Sequence, residues 1–380
     1  MSYRWIDQNP PLADLNARLP ADQPLFLDTE FMRERTFWPQ LALVQVNTTP
    51  DAAPAVAAGQ GGEQGGEQAG EHVWLIDTPA LGDAAALREL LAGRTLVMHA
   101  CSEDIEALKV FTGETPARIR DTQIAAALTG FDLQCSYQRL VRELTGTELA
   151  KDATRTDWLR RPLSENQLSY ARDDVVWLPL MTQILTERLT ALGRLGWWEE
   201  ECDRLLRNAV AEVDPALSWR QVKGAGNLEG VALARLVALA RWRDAMARER
   251  DLPRGFVIRD PALLALAQAG PTSRDQLADL DLHPSLVRRD GDTLLALLRE
   301  GEQQTPPPAL PGPPDPAQRQ LIKQLRARVT EIGKDMGLEP EILMRRRWLE
   351  AMVREPGTVP EPLTGWRHDP VARPLLEMLP

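Results

Sequence analysis

The run Pro24 to Phe31, "PLFLDTEF", constrains the fold more than any other part of the chain. It opens as a buried strand opens, yet Asp28 and Glu30 follow at i and i+2, and strand alternation sends both carboxylates to one face of a sheet. Two acids on one face repel unless a cation lies between them, although a strand end in solvent holds such a pair without any ion. Apolar neighbours favour a central strand, and with it metal binding. Hard oxygen ligands with no histidine or cysteine partner suit magnesium or manganese rather than zinc.

Around this run the first half of the chain alternates short apolar stretches with helical patterns. "LALVQVN" (residues 41–47), "HVWLIDT" (72–78) and "TLVMHA" (95–100) read as further strands by length and β-branched content. Amphipathic patterns predict helices over residues 83–92, 102–112, 121–128, 137–144 and 173–192. Residues 1–209 therefore form an α/β unit whose sheet is partly antiparallel at the front, because three strands arrive before the first long helix. Residues 50–72, with the repeat Gly-Gly-Glu-Gln, have no capacity for a core and read as a flexible hairpin insertion. From Val210 onward the patterning is helical only. Residues 210–304 make a first helical bundle, 305–316 ("TPPPALPGPPDP") a stiff linker, and 317–380 a second helical unit.

Charge sharpens the picture. The net charge is −11, and a polyanion partner normally calls for a basic footprint. The excess is local: residues 1–209 hold 20 Lys and Arg against 31 Asp and Glu, whereas residues 210–300 hold 13 of each and 301–380 hold 11 of each. Carboxylates that bind divalent cations reverse the local sign, so an acidic unit of this kind is still able to take a polyanion. The longest apolar runs, such as "VALARLVALA", are broken by arginine and shorter than the ~20 residues of a membrane span. "MSYRWIDQNPP" lacks the apolar stretch of an export signal, and three scattered cysteines fit neither a disulfide framework nor a zinc site. A cytoplasmic setting follows, and the absence of a heptad seam points to a monomer.

Two further stretches carry acids. "HACSEDIEAL" (His99 to Leu108) leaves a strand and opens a helix, with Ser102 as its cap and Glu103 and Asp104 in the first turn, where acids complement the helix dipole whether or not they do chemistry. In "QLSYARDDVVWL" (Gln167 to Leu178), helical spacing brings Tyr170 beside Asp173 or Asp174, roughly 60° and 40° away around the axis, with a slight preference for Asp174. A phenol beside a metal-bound carboxylate is able to hold an attacking water. A first helical turn with two dipole-complementing acids accounts for the same stretch taken alone.

Together, Asp28-x-Glu30, Asp104 and Tyr170-x3-Asp174 resemble the motifs of the DEDD exonuclease superfamily in its tyrosine-bearing subclass. The flanking text "DTEFMRERTFWPQLALVQV", "RIRDTQIAAALTG" and "KDATRTDWLRRPLSENQLSYARDDVVWL" is similar to that of the bacterial ribonuclease D family. "LARWRDAMARERDLPRGFVIRD" resembles a helicase-and-RNase-D C-terminal (HRDC) domain, and "LTGWRHDPVARPLLEML" resembles the end of a second one. The resemblance covers nearly the whole chain. It implies a ribonuclease H-like mixed sheet with flanking helices, followed by two all-α HRDC-like domains. It implies a 3′–5′ exoribonuclease that trims tRNA precursors and other structured RNAs with single-stranded 3′ ends, releasing nucleoside 5′-monophosphates. Two divalent cations, Mg2+ or Mn2+, would be held by Asp28, Glu30, Asp104 and Asp174, one on each side of the scissile phosphate. Asp28 would bridge both, Glu30 and Asp174 would complete the site of the attacking water, Asp104 would help hold the second ion, and Tyr170 would orient the water. Asp173 is then left as a first-turn acid facing away.

Other residues are candidates for contact with the RNA. Phe31 and Met32 adjoin the acidic strand and could pack against a terminal base, while Lys151, Arg155 and Trp158 precede Tyr170 closely enough to reach a phosphate. Arg241, Arg243, Arg248 and Arg250 on one helix, and the run Arg345 to Arg347, are candidates for phosphate contact, and the three units are expected to enclose a channel for single-stranded ends. Asp121 reads as a helix cap, and His99 as a packed strand-end residue. Two other readings stand beside the first: a 3′–5′ exonuclease of single-stranded DNA, and a non-catalytic RNA-binding protein on a nuclease fold.

Overall fold

A computed structural model of the chain describes residues 2–50, 72–149, 156–212 and 214–380. Most of the 50–72 insertion, and Lys151 and Arg155, lie outside the described residues. A single six-stranded sheet organises the first part: β1 (Arg4–Ile6), β2 (Leu25–Met32), β3 (Gln40–Asn47), β4 (Val73–Ile76), β5 (Thr95–Met98) and β6 (Arg118–Asp121), in the order β1-β4-β3-β2-β5-β6. The middle pairs β2/β3 and β3/β4 are antiparallel, and the outer pairs β1/β4, β2/β5 and β5/β6 are parallel. Strand β2 is central, flanked on both sides, and Leu25, Phe26 and Leu27 are fully buried just before the two acids. The edge strands β1 and β6 were not foreseen, because runs as short and charged as "RWI" and "RIRD" show no apolar alternation.

Helices cover the sheet: α1 (Asn9–Arg18), α2 (Ala85–Leu91), α3 (Ser102–Thr112), α4 (Thr122–Leu128), α5 (Tyr137–Thr145), α6 (Glu165–Val176), α7 (Leu178–Ala191) and α8 (Leu195–Val210). The single helix expected over 173–192 is in fact two, with the break at Trp177 and Pro179 in the first turn of α7. Helix α6 starts at Glu165 because Ser164 and Gln167 form a reciprocal capping box, a signal present in the sequence. Between β5 and α3 the chain turns through Ala100 at φ 58°, left-handed backbone that costs a non-glycine residue roughly 1–2 kcal/mol. The N-cap of α3 is Cys101 with no side-chain bond, so Ser102 is not the cap it was expected to be.

The described residues fall into two compact units. The first takes in Met1–Met32, Gln40–Val210 and Pro314–Pro380; the second takes in Arg33–Pro39 and Ala211–Pro313. In the second, α9 (Gly230–Glu249), α10 (Asp260–Ala269) and α11 (Pro284–Gln303) close over a core that includes Leu233, Leu236, Leu239, Leu263 and Leu294. Phe37 belongs to this core, and the backbone N–H groups of Phe37 and Trp38 donate to Asp251 Oδ1 at 2.9 and 3.0 Å. The returning C-terminal segment of the first unit carries α12 (Pro316–Met336) and α13 (Arg346–Arg354). Its Trp366 stacks on Trp197 of α8 with ring centroids 4.3 Å apart, Arg367 pairs with Glu201 of α8, and Ile342 joins the core of the sheet.

Candidate active site

Three elements converge on one acidic spot. Asp28 and Glu30 come from the middle of β2, Asp104 from the first turn of α3, and Asp174 from the last turns of α6. Carboxylate oxygens of Asp28, Glu30 and Asp174 lie within 4.8 Å of one another. Asp104 lies outside that close trio, but its Oδ1 accepts a hydrogen bond of 2.5 Å from Thr29 Oγ1, and its charge raises the pKa of Asp28 and Glu30. Tyr170 sits one helical turn before Asp174 and hydrogen-bonds it, as the spacing suggested.

Burial and mutual repulsion govern the electrostatics of the four acids. Burial, then the neighbouring carboxylates, push Glu30 up to about 9, and Asp28 rises well above the carboxylate range for the same reasons. Burial lifts Asp174 to about 8 against the hydrogen bond from Tyr170, and lifts Asp104 to about 6 against the one from Thr29. None of the main influences on these groups is a lysine or arginine. Asp174 Oδ2 is buried without any hydrogen-bond partner, a costly condition for a polar atom unless a ligand meets it. An all-carboxylate donor set with an orphaned oxygen fits a hard divalent cation.

The helix-start explanation of Asp173 and Asp174 fails on this geometry. Both lie near the C-terminal end of α6, where the dipole disfavours acids. Asp173 does not simply face away: its carboxylate is held by Arg172 at 2.9 Å, and its carbonyl accepts the Tyr137 hydroxyl at 2.9 Å. Phe31 and Met32 are half-buried against the core of the sheet, beyond a register shift that follows Glu30. Trp158 is only 2% exposed and backs the Tyr170 ring at 6.1 Å, so its place is behind the tyrosine and not at the RNA surface. Asp121 caps α4 through Gln123 and Ile124 and also accepts from Cys101 N, and both His99 ring nitrogens are engaged, with Thr122 and Cys135. On α9 and at its C-terminal cap, Arg243, Arg248 and Arg250 are tied to Asp260, Asp244 and Asp290, so these three are structural pairs.

Several residues that hold the site escaped the sequence reading. Asn47 Nδ2 donates to Val175 O at 3.1 Å and Tyr137 takes the Trp177 N–H at 3.3 Å, so two buried side chains pin the end of α6 that carries Asp174. Gln45 stands directly across the ladder from Asp28, fully buried, with neither amide atom paired. A polar residue inside the apolar run "LALVQVN" was the available signal for both Asn47 and Gln45.

Comparison with known proteins finds relatives over the whole length of the chain. Residues 3–190 match a 3′-5′ exonuclease family model, and residues 232–298 match an HRDC domain. The ribonuclease D of Pseudomonas paraeruginosa is 37% identical over 387 residues, spanning 99% of this chain and 97% of that protein. The Escherichia coli ribonuclease D is 34% identical over 100% of this chain and 99% of its own length. The crystal structure of Escherichia coli RNase D, described as an exoribonuclease involved in structured RNA processing, superposes with a TM-score of 0.86 at 33% identity, covering 100% of this chain and 98% of that one.

Proposed function

The chain belongs to the ribonuclease D family, and from that premise we propose how it acts as a 3′–5′ exoribonuclease, through which residues and on which RNAs. The observation that carries the reading is the trio Asp28, Glu30 and Asp174, gathered within 4.8 Å of one another, with one Asp174 oxygen buried and without a hydrogen-bond partner. In this reading Asp28, Glu30 and Asp174, with Asp104 beside them, hold two divalent ions, magnesium or manganese. Ions bound there supply the positive charge that a phosphodiester needs on its attacking and leaving sides.

The chain's own residues do the rest. Burial and its acidic neighbours raise the pKa of Tyr170, so the phenol stays protonated and remains a hydrogen-bond donor throughout the working pH range. From its place beside Asp174 it orients a water toward the scissile phosphate without being a ligand. Thr29 fixes Asp104, while Asn47 and Tyr137 fix the end of α6, so the acids are held in place before substrate arrives. The substrates are precursor tRNAs and other structured RNAs with a single-stranded 3′ end, and the protein works as a cytoplasmic monomer. Among the described residues no helix is long and apolar enough to cross a membrane.

The test is incubation with a 3′-extended tRNA precursor in magnesium or manganese, then in chelator. Mononucleotides should appear one at a time from the 3′ end and cease when the metal is removed. Release that persists in chelator, or in Asp28→Ala, would overturn the assignment of these acids.

A further inference from the structure

Strand β3 carries a residue that neither core packing nor the chemistry above accounts for. Gln45 pairs with Asp28 across the antiparallel ladder, so both side chains leave the same face of the sheet, with Cβ atoms roughly 4.5–5.5 Å apart. That face lies under α6, which packs across β2, β3 and β4. Asn47, two residues along on the same face, reaches Val175 O of that helix at 3.1 Å. Gln45 therefore lies under the helix that carries Asp174 and beside the strand that carries Asp28.

Its burial is complete, and neither its amide nitrogen nor its amide oxygen has a hydrogen-bond partner among the described residues. The other side of the ladder supplies none, since Gln45 meets Leu75 there, which is apolar and fully buried. A glutamine in the middle of "LALVQVN" thus costs stability that its apolar neighbours do not.

The acids across the ladder supply a use for it. Asp104 accepts from Thr29 Oγ1 and Asp174 from the Tyr170 hydroxyl, so each is held by a neutral side-chain donor. Asp28 has only the backbone N–H of Thr29 among the main influences that favour its charged form. Gln45 Nε2 is the unspent donor on its face of the sheet. An amide suits that place: it brings no charge to compete with a divalent cation, as lysine or arginine would, and it gives a hydrogen bond that an apolar side chain cannot.

We propose that Gln45 is a positioning residue, whose Nε2–H donates to the carboxylate of Asp28 and fixes the orientation in which that carboxylate meets the divalent cations. The bond forms with the cation-bound carboxylate, whose charge makes it the stronger acceptor. The proposal rests on the metal-dependent reading above and adds to it a support from a neighbouring strand.

The experiment uses the full chain with Gln45→Met and Gln45→Leu, apolar replacements of similar size, and with Leu43→Met, opposite Glu30 on the same strand and face, as a packing control. Mn2+ binding is titrated by calorimetry, melting is followed in chelator, and kcat and KM are separated on a 3′-extended RNA. Each Gln45 variant should bind Mn2+ about 10–100-fold more weakly, with kcat lower by a similar factor and KM for RNA unchanged. In chelator both should melt no lower than the parent, because a buried unpaired amide has been removed, and Leu43→Met should bind Mn2+ as the parent does. In the parent labelled with 15N-glutamine, one side-chain NH2 pair should move downfield when magnesium is added, a readout that needs no variant. Parent-like Mn2+ affinity in a folded Gln45 variant would overturn the proposal and leave the nuclease intact. So would a lower melting temperature in chelator with affinity unchanged, which would make Gln45 a packing residue, or glutamine NH2 signals that all stay in place. A parent that binds no divalent cation, or an Asp28→Ala variant with full hydrolysis, would instead remove the metal-dependent reading, and the proposal with it.

Discussion

Carboxylates in the second unit and those gathered at the acidic site of the first are treated in opposite ways. In the second unit, Asp244 sits with Arg248 and Arg254, Asp260 with Arg243, and Asp290 with Arg250 and Arg289. All three are held below the ordinary carboxylate range, their arginine hydrogen bonds outweighing burial. In the first, Asp28, Glu30, Asp104 and Asp174 crowd together with no such partner, and all four are raised. Acids answered by arginine hold a fold together; acids left unanswered at that cost wait for a cation from outside.

The contrast is open to attack, from its largest consequence to its smallest. Asp174→Asn should lower RNA hydrolysis by about a thousandfold or more, the scale of several kcal/mol of charge stabilisation, while leaving the apo protein at least as heat-stable as the parent. Calorimetry beside a gel-based nuclease assay would register both, and a marked drop in melting temperature would make Asp174 a structural acid like Asp244. Asp244→Ala should do the reverse, costing about 3 kcal/mol of stability by stranding two arginines, with hydrolysis at permissive temperature much less affected; denaturant melts would measure it.

The third consequence is a pH trend. Carboxyls raised in the folded state hold protons that the unfolded chain sheds near pH 4, so their contribution is complete below that and is lost as the pH climbs through about 6, 8 and 9 for Asp104, Asp174 and Glu30. Melting temperatures in chelator should therefore fall between pH 5 and 9 by more than they do in magnesium, and equal slopes would contradict metal binding at this site. Smallest of all, Asp173→Asn should leave most of the activity, because Arg172 already holds that carboxylate; a loss matching that of Asp174→Asn would reopen the choice between the two.

Much of this was legible in the sequence, and what was missed has physical reasons. Strand β2 and its two acids stood out because apolar residues flank them, and Tyr170 with Asp174 followed from helical spacing. The start of α6 was missed because propensity is weak across "ENQLSYARDD" and the capping box at Ser164 decides it. The supports at Thr29, Asn47 and Tyr137 act through contacts across 75, 128 and 36 residues, which no local pattern encodes. Arg243, Arg248 and Arg250 look free for the same reason: a row of like charges is read alone until the acids that answer it are brought together by the fold.

The first unit is also discontinuous, since Pro314–Pro380 return to it after the second unit has been completed, and Ile342 enters the core of the sheet. During synthesis the sheet and all four acids emerge well before the segment that covers Trp197 and pairs with Glu201. At roughly 5–20 residues per second, that leaves on the order of ten seconds or more between making α8 and making its partner. In that interval the nascent nuclease presents an uncovered tryptophan on α8, and chaperones have their opportunity.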